Sequence, residues 1–176
     1  MIKIKNKIFE LFISEKDIKA KTEELSEKIQ DFYLDKKPIF FIILDGSFIF
    51  GADLFQKCKI KNSEVEFMKI KSYEGMNSTE ELKIILKSDK EIQNRHIIIV
   101  EDIVDSGLTI DGVIKIFKKE KVKSIEVVSL LYKPENYKYN HNIKWYGFSI
   151  PNDFVVGYGL DYDGFGRELN EIYKLK

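Results

Sequence analysis

Two uninterrupted apolar runs constrain this chain more than any other feature: residues 39–44, Ile-Phe-Phe-Ile-Ile-Leu, and residues 97–100, Ile-Ile-Ile-Val. A strand with one face in water alternates apolar and polar side chains, so runs without alternation predict strands covered on both faces. Each run leads through a turn into a stretch of helical character. Asp45-Gly46-Ser47 precedes residues 48–57, and a turn through Gly107 precedes Ile110, Val113, Ile114 and Phe117 at helical spacing. A third β-prone stretch, residues 125–132, continues the alternation. The pattern predicts an α/β fold, a mainly parallel sheet with helices on both faces, and ligands at the carboxyl ends of its strands. The loops after Leu44, Val100 and Leu131 are therefore the places for a site.

The remaining segments fit around that frame. Ser14 with Asp17 resembles a capping box, and Ile18, Leu25, Ile29 and Phe32 recur at helical spacing until Pro38 ends the element. Val65, Phe67 and Ile70, then residues 82–86, predict two strands joined by a mobile polar loop over residues 72–79. With 176 residues, one domain is expected. Lys and Arg together number 29, as do Asp and Glu, so no overall field draws the chain to nucleic acid or to an anionic membrane. Neither is expected as a partner. Cys58 is the single cysteine, which excludes an internal disulfide and fits a reducing, cytoplasmic setting. Residues 1–12 lack the long apolar core of a secretory signal, and no apolar run is long enough to span a bilayer.

The chemistry concentrates in residues 100–110, Val-Glu-Asp-Ile-Val-Asp-Ser-Gly-Leu-Thr-Ile. Gly107 permits a tight turn, Ser106 and Thr109 bring hydroxyls, and a helix opening here presents unpaired N–H groups at its positive end. Ser106, Gly107, Leu108 and Thr109 thus predict a cradle for a phosphate dianion. The stretch lacks the Gly-Lys-Ser/Thr of the nucleoside-triphosphate loop and the three spaced glycines of a dinucleotide site. Glu101 and Asp102, expected to end the strand, suit hydrogen bonds from sugar hydroxyls, directly or through a hard cation such as Mg²⁺. Beside a bound phosphate, Asp105 is expected to have a raised pKa, as a general base or acid requires. An isolated Glu-Asp pair is more often a solvated turn, but Gly107 and Thr109 in register behind a buried strand reverse that weighting.

Residues 101–109 resemble the phosphoribosyl-diphosphate signature of the type I phosphoribosyltransferases, and other segments narrow the resemblance to the hypoxanthine-guanine phosphoribosyltransferases. It runs through Leu44-Asp45-Gly46-Ser47, Lys71-Ser72-Tyr73, Leu130-Leu131 ahead of Lys133, and Arg167. Its most discriminating block is residues 154–162, Phe-Val-Val-Gly-Tyr-Gly-Leu-Asp-Tyr. The resemblance implies the type I phosphoribosyltransferase fold, a central mainly parallel sheet flanked by helices. Residues 1–176 would form one domain, with a small hood built by the N- and C-terminal segments and a mobile loop. The implied activity is purine salvage: Mg²⁺-dependent transfer of the phosphoribosyl group to hypoxanthine or guanine, giving IMP or GMP and diphosphate. A xanthine-preferring enzyme and a non-catalytic sensor of phosphoribosyl diphosphate are the alternatives. Retention of Asp105, Lys133 and Asp161 together favours catalysis.

Position by position, the resemblance implies that Glu101 and Asp102 hold the ribose hydroxyls and that Asp105 accepts the proton at the purine N7. Ser106, Gly107, Leu108 and Thr109 bind the 5′-phosphate. Lys133 donates to the purine O6, which selects a 6-oxopurine over adenine. Phe154 stacks on the base and Val155 faces its position 2. Asp161, with Glu101 and Asp102, holds the metal; Gly46, Ser47 and Arg167 take the diphosphate; Ser72 and Tyr73 begin the lid. Two positions depart from the family pattern. Asp45 stands where a basic or neutral residue is common, and Leu108 where some relatives carry lysine. His96 and His141 fall outside the motifs and read as structural. A homodimer or homotetramer is implied, with Phe48, Phe50, Tyr132 and Trp145 as candidate interface area.

Overall fold

The structure is a computed structural model that describes residues 1–74, 80–86 and 88–176. Helix α1, Glu15–Tyr33, opens at Ser14, whose hydroxyl accepts the Asp17 N–H at 3.2 Å. Its buried stripe is Ile18, Thr22, Leu25, Ser26, Ile29 and Tyr33. Phe32, expected in that stripe, is instead 37% exposed, because Tyr33 completes the four-residue step from Ile29. Its ring packs edge-on against Tyr33 and Trp145 and lies under the ammonium groups of Lys36 and Lys144.

The larger sheet has six strands: β3 (Ile39–Leu44), β4 (Glu64–Glu74), β5 (Glu80–Leu86), β6 (His96–Val104), β7 (Ser124–Tyr132) and β8 (Trp145–Ser149). Their spatial order is β5-β4-β3-β6-β7-β8, and every neighbouring pair is parallel except β4 with β5. The two apolar runs lie side by side at its centre, Ile39 opposite Ile97 and Ile42 opposite Val100. On one face Ile39, Phe41, Ile43, Ile97 and Ile99 pack on Ile110, Val113 and Phe117 of helix α3, Leu108–Lys119. On the other, Phe40, Ile42, Ile98 and Val100 pack with α1 and with Phe50 and Leu54 of helix α2, Phe48–Cys58. Both faces are covered, which is why neither run alternates.

Strand β6 runs on to Val104, so Glu101 and Asp102 lie inside the strand rather than at its end. Pairing with β7 continues past the apolar residues, Glu101 opposite Ser129, Ile103 opposite Leu131 and Val104 opposite Tyr132. Glu101 is therefore fixed by pairing with β7, and the backbone of Asp102 by the Ser47 hydroxyl.

A second sheet joins the two ends of the chain. Its order is β1 (Ile2–Ile4), β2 (Lys7–Ile13), β10 (Ile172–Leu175) and β9 (Val155–Val156), all antiparallel. Ile13, Val155 and Ile172 enter the same apolar cluster as α1 and α2, which seats this sheet over the carboxyl end of the larger one. Among the described residues no helix is long and apolar enough to cross a membrane. Phe50 and Trp145 are buried inside this core, so they offer no interface area; of the expected set Phe48 is the exposed one.

Candidate active site

Helix α3 begins where β6 stops. Gly107 takes φ +87 at its N-cap, a conformation that disfavours any side chain, and the Tyr137 ring occupies the space a Cβ would need. Its carbonyl accepts the Asp111 N–H at 2.9 Å, closing the first helical turn. Residues 103–110 with Glu101 line a small hollow of about 70 Å³ over the helix N-terminus. Ser106, Gly107, Leu108 and Thr109 thus come together as one loop. The Lys138 N–H donates to the Ser106 carbonyl at 3.0 Å, which ties the segment after β7 across this loop.

Asp105 and Ile103 also line an adjoining cavity of about 240 Å³. Its walls bring together Gly46 from the turn before α2, Asp102 from β6, Lys133 from the end of β7, Phe154 and Val155 from the terminal sheet, and Asp161 with Arg167. Seven predicted positions from five separate stretches of sequence thus join Asp105 around one space. A larger cavity, about 540 Å³, lies by the opposite strand ends beside Phe41, Met68 and Phe117 and contains none of these residues.

Glu101 and Asp102 are buried side by side. Burial raises the Glu101 carboxyl well above the carboxylate range, and the neighbouring Asp102 charge raises it further. Burial likewise pushes Asp102 up to about 6, against hydrogen bonding from the Ile103 amide and the pull of Arg167. Asp102 Oδ1 accepts the Ile103 N–H at 2.7 Å, while Glu101 Oε2 is buried with no hydrogen-bond partner among the described residues. An orphaned hard oxygen next to a second carboxylate suits a sugar hydroxyl or a magnesium ion. Asp161, expected to hold a metal with these two, is paired elsewhere in the free protein, and among the described residues no three such groups converge without substrate oxygens. Arg167 holds it instead, Nη2 at 2.7 Å from Oδ1, and Oδ2 accepts the Gly164 N–H at 2.7 Å.

Lys133 is 6% exposed and its ammonium lies 2.8 Å from Asp105 Oδ2. Asn136 donates to the other Asp105 oxygen, and Asn152 accepts from Lys133 at 3.4 Å. Partial burial pushes the Asp105 carboxyl up, but Lys133, Asn136 and the charge of Lys138 outweigh it and hold Asp105 below the usual carboxylate range. The raised value expected beside a bound phosphate is not the state of the free protein, since the lysine reaches the carboxylate first. Phe154 is 45% exposed; its ring packs against Phe9 and Tyr162 and lies 5.7 Å from the Lys7 ammonium. Val155 pairs with Lys174 of β10.

The turn after β3 starts with a cis Leu44–Asp45 peptide bond. Gly46 packs against Asp102, where a Cβ would fall 1.6 Å from Oδ2. The Ser47 side chain is fully buried and its hydroxyl accepts the Asp102 N–H at 2.9 Å, so the diphosphate role expected of Ser47 rests on its backbone alone. Among the described residues the Gly46 and Ser47 amides donate to no backbone carbonyl. Asp45 turns to Lys69, whose ammonium lies 2.8 and 2.7 Å from its two oxygens. Arg167 also donates to the Gly159 carbonyl at 2.5 Å, and Gly159 abuts the Gly46 carbonyl, docking the terminal sheet's loop on this turn. The Tyr158 hydroxyl reinforces the docking through Asp53 of α2 at 2.5 Å.

Ser72 and Tyr73 lie on β4, paired with Leu82 and Glu81 of β5. Residues 72–74 of the loop expected over residues 72–79 are thus strand; residues 75–79, and the side chains of Ser72 and Tyr73, fall outside the described part. His141 binds Asp111 through Nε2 at 2.9 Å and His96 binds Ser124 at 2.7 Å, both as structural contacts. Asn136, Asn152 and Tyr162 were not expected at the site. Asn136 had a signal, because Lys133-Pro134-Glu135-Asn136 is a turn sequence and the Asn136 N–H donates to the Lys133 carbonyl at 3.2 Å. Tyr162 lay inside the discriminating block at residues 154–162, but no role was read for it.

The sequence pattern of the phosphoribosyl transferase domain matches residues 12–163. The hypoxanthine phosphoribosyltransferase of Buchnera aphidicola is 44% identical over 168 residues, 94% of each chain. The hypoxanthine-guanine phosphoribosyltransferase of Bacillus subtilis is 39% identical over 174 residues, 98% of this chain and 96% of that one. In three dimensions, a crystal structure of the Staphylococcus aureus hypoxanthine phosphoribosyltransferase matches with a TM-score of 0.90 at 36% identity, covering 95% of this chain and 91% of that chain. The Trypanosoma cruzi enzyme matches at 0.83 and 31% identity, covering 95% and 96%. With the site at the carboxyl ends of a type I sheet and these matches over nearly its whole length, the chain belongs to the hypoxanthine-guanine phosphoribosyltransferase family.

Proposed function

We propose that this chain transfers the 5-phosphoribosyl group of phosphoribosyl diphosphate to hypoxanthine, and to guanine, giving the nucleoside monophosphate and diphosphate. One observation carries the reading: Asp105, in the wall shared by the hollow over the helix N-terminus and the cavity holding Phe154, Asp102 and Arg167, is hydrogen-bonded to Lys133 of that second cavity. A base on Phe154 would turn one edge to an ammonium donor and a neighbouring carboxylate acceptor, which matches the O6 and N7–H of a 6-oxopurine and opposes adenine's amino group.

In this mechanism a purine ring nitrogen bonds to C1 of the sugar as the bond from C1 to the diphosphate oxygen breaks. The N7 proton passes to Asp105. The phosphate is held by the amides and hydroxyls from Ser106 to Thr109, and the ribose hydroxyls by Glu101 and Asp102. Most of the acceleration comes from positioning and from charge stabilisation at the leaving group. Arg167 and the Gly46 and Ser47 amides receive the diphosphate; Arg167 must exchange Asp161 for that anion. Glu101, Asp102 and Asp161, with substrate oxygens, would hold Mg²⁺, which supplies countercharge to the diphosphate. Ser72 and Tyr73 begin the covering lid, and the terminal strands act as a hood within a single 176-residue unit. A cytoplasmic homo-oligomer belongs to the same reading. Cys58 takes no part: burial pushes its thiol up to about 12.

The test is a panel of hypoxanthine, guanine, xanthine and adenine, each with phosphoribosyl diphosphate and Mg²⁺, followed by absorbance with diphosphate measured in parallel. Hypoxanthine and guanine are expected to turn over and adenine is not. Preference for xanthine, or binding without turnover, would replace the reading.

A further inference from the structure

We propose that Lys69 is a charge-masking, positioning residue that makes the aspartate-bearing turn before α2 usable for diphosphate. The inference rests on the functional reading above and assigns a role to a residue outside its motifs. Asp45 is the first residue of the turn whose next two amides receive the diphosphate in that functional reading. Its carboxylate immediately precedes Gly46, which shares a cavity wall with Asp102, Asp161 and Arg167. Left alone there, a carboxylate would repel any anion that those amides and Arg167 attract.

Lys69 stands where it can cancel that charge. Strands β3 and β4 are parallel and in register, with Lys69 directly opposite Leu44, the residue before the turn. Met68 points into the apolar cluster under α3, so alternation puts Lys69 on the other face of β4, on the side that reaches the turn. From there its ammonium bonds both carboxylate oxygens, at 2.8 and 2.7 Å. Asp45 does not line the cavity, whereas Gly46 does. The pair is partly exposed, with side-chain exposures of 28% for Lys69 and 47% for Asp45. Such a pair adds little to folding stability, so its main effect is on the charge an arriving diphosphate meets. The Asp45–Lys69 pair carries no net charge. Neutralising Asp45 removes one negative charge from beside the turn, and neutralising Lys69 removes one positive charge.

Opposite signs for the two single substitutions separate this role from a structural one. Calorimetry with Mg²⁺-diphosphate, and KM and kcat for phosphoribosyl diphosphate, are measured on wild type, Lys69→Gln, Lys69→Arg, Asp45→Asn and the double variant Asp45→Asn/Lys69→Gln. A melting curve for each shows that it is folded. Lys69→Gln is expected to weaken diphosphate and raise KM roughly fivefold with kcat within about twofold. Lys69→Arg keeps wild-type values, Asp45→Asn tightens diphosphate by a similar factor, and the double variant returns to within about twofold of wild type. Single variants that shift affinity in the same direction, or both by less than about twofold, overturn the proposal. Calorimetry reads the cycle without turnover. Wild type that binds diphosphate but forms no nucleotide from hypoxanthine would end the functional reading while leaving this one testable.

Discussion

Lys133 serves two partners in turn. In the free protein it holds Asp105 ionised, and in the proposed complex it donates to the base. The kcat/KM for hypoxanthine requires Asp105 deprotonated in the free enzyme, so its acid limb follows the Asp105 pKa. Lys133 and Asn136 hold that pKa below the usual carboxylate range, so wild-type kcat/KM should stay flat as pH falls toward that range. Lys133→Ala removes the largest lowering contact, and its acid limb should move upward while KM for hypoxanthine rises roughly tenfold. A pH–rate profile checks both. An unmoved acid limb would mean that Asp105 is not the group being titrated. Asp105, Lys133 and Arg167 were all legible from the ordered motifs. The Arg167–Asp161 and Lys133–Asp105 pairings were not, because a motif names residue types and not which of them neutralise one another before a ligand arrives.

The elements explain how distant stretches reach one cavity. Gly159 touches the Gly46 carbonyl at a position where φ is +101 and a Cβ would fall 2.0 Å from that oxygen. Gly159→Ala should push the terminal sheet's loop off the diphosphate turn and cost on the order of 100-fold in kcat/KM. Gly164→Ala is the control: its φ of +85 brings similar backbone strain, but nothing lies within 4 Å of the added methyl. Equal losses from the two would mean that strain alone matters. At the far end of α1, Ser14→Ala removes the cap on the Asp17 amide and should cost about 1 kcal/mol. In a chain of this size, thermal denaturation should show that as a fall of roughly 2–4 °C in Tm, with activity kept.

At this scale the sequence was readable where one physical demand acts alone. Strands β3 and β6 follow from runs with no polar interruption, and α1 from its cap. The continuation of β6 through Glu101 and Asp102 was hidden, because functional carboxylates break the apolar run while pairing with β7 carries the strand on. Residues 2–13 were read as lacking a signal peptide and, from the resemblance, as part of the hood, but no strand was read in them. They form a hairpin that mixes buried Phe9 and Ile13 with half-exposed Ile8 and Leu11, a weaker signal than a buried run.

For the whole molecule, the two buried carboxyls couple function to stability. Folding raises the pKa of Glu101 and Asp102, so the folded state holds more protons than the unfolded chain above the ordinary carboxylate range. Their neutral forms fit the folded state at low pH, and stability is lost as pH rises through the folded value, about 6 for Asp102. Glu101→Gln removes one of the two raised titrations and the cost of burying that charge. The Tm of the variant minus that of wild type should therefore grow from about pH 4 to pH 7 in the unliganded protein. A difference that shrinks over that range would contradict the buried-pair account.

The central claim is that one enclosure aligns a held sugar phosphate, a 6-oxopurine and Asp105 as proton acceptor. Its most direct measurement is steady-state conversion of hypoxanthine and phosphoribosyl diphosphate to IMP, with Mg²⁺, by wild type and Asp105→Asn side by side. Wild type should form IMP and diphosphate in equal amounts. The variant's kcat should fall roughly 100-fold or more while its KM for phosphoribosyl diphosphate stays within about threefold. A variant that turns over like wild type, or wild type that forms no IMP, would contradict the account.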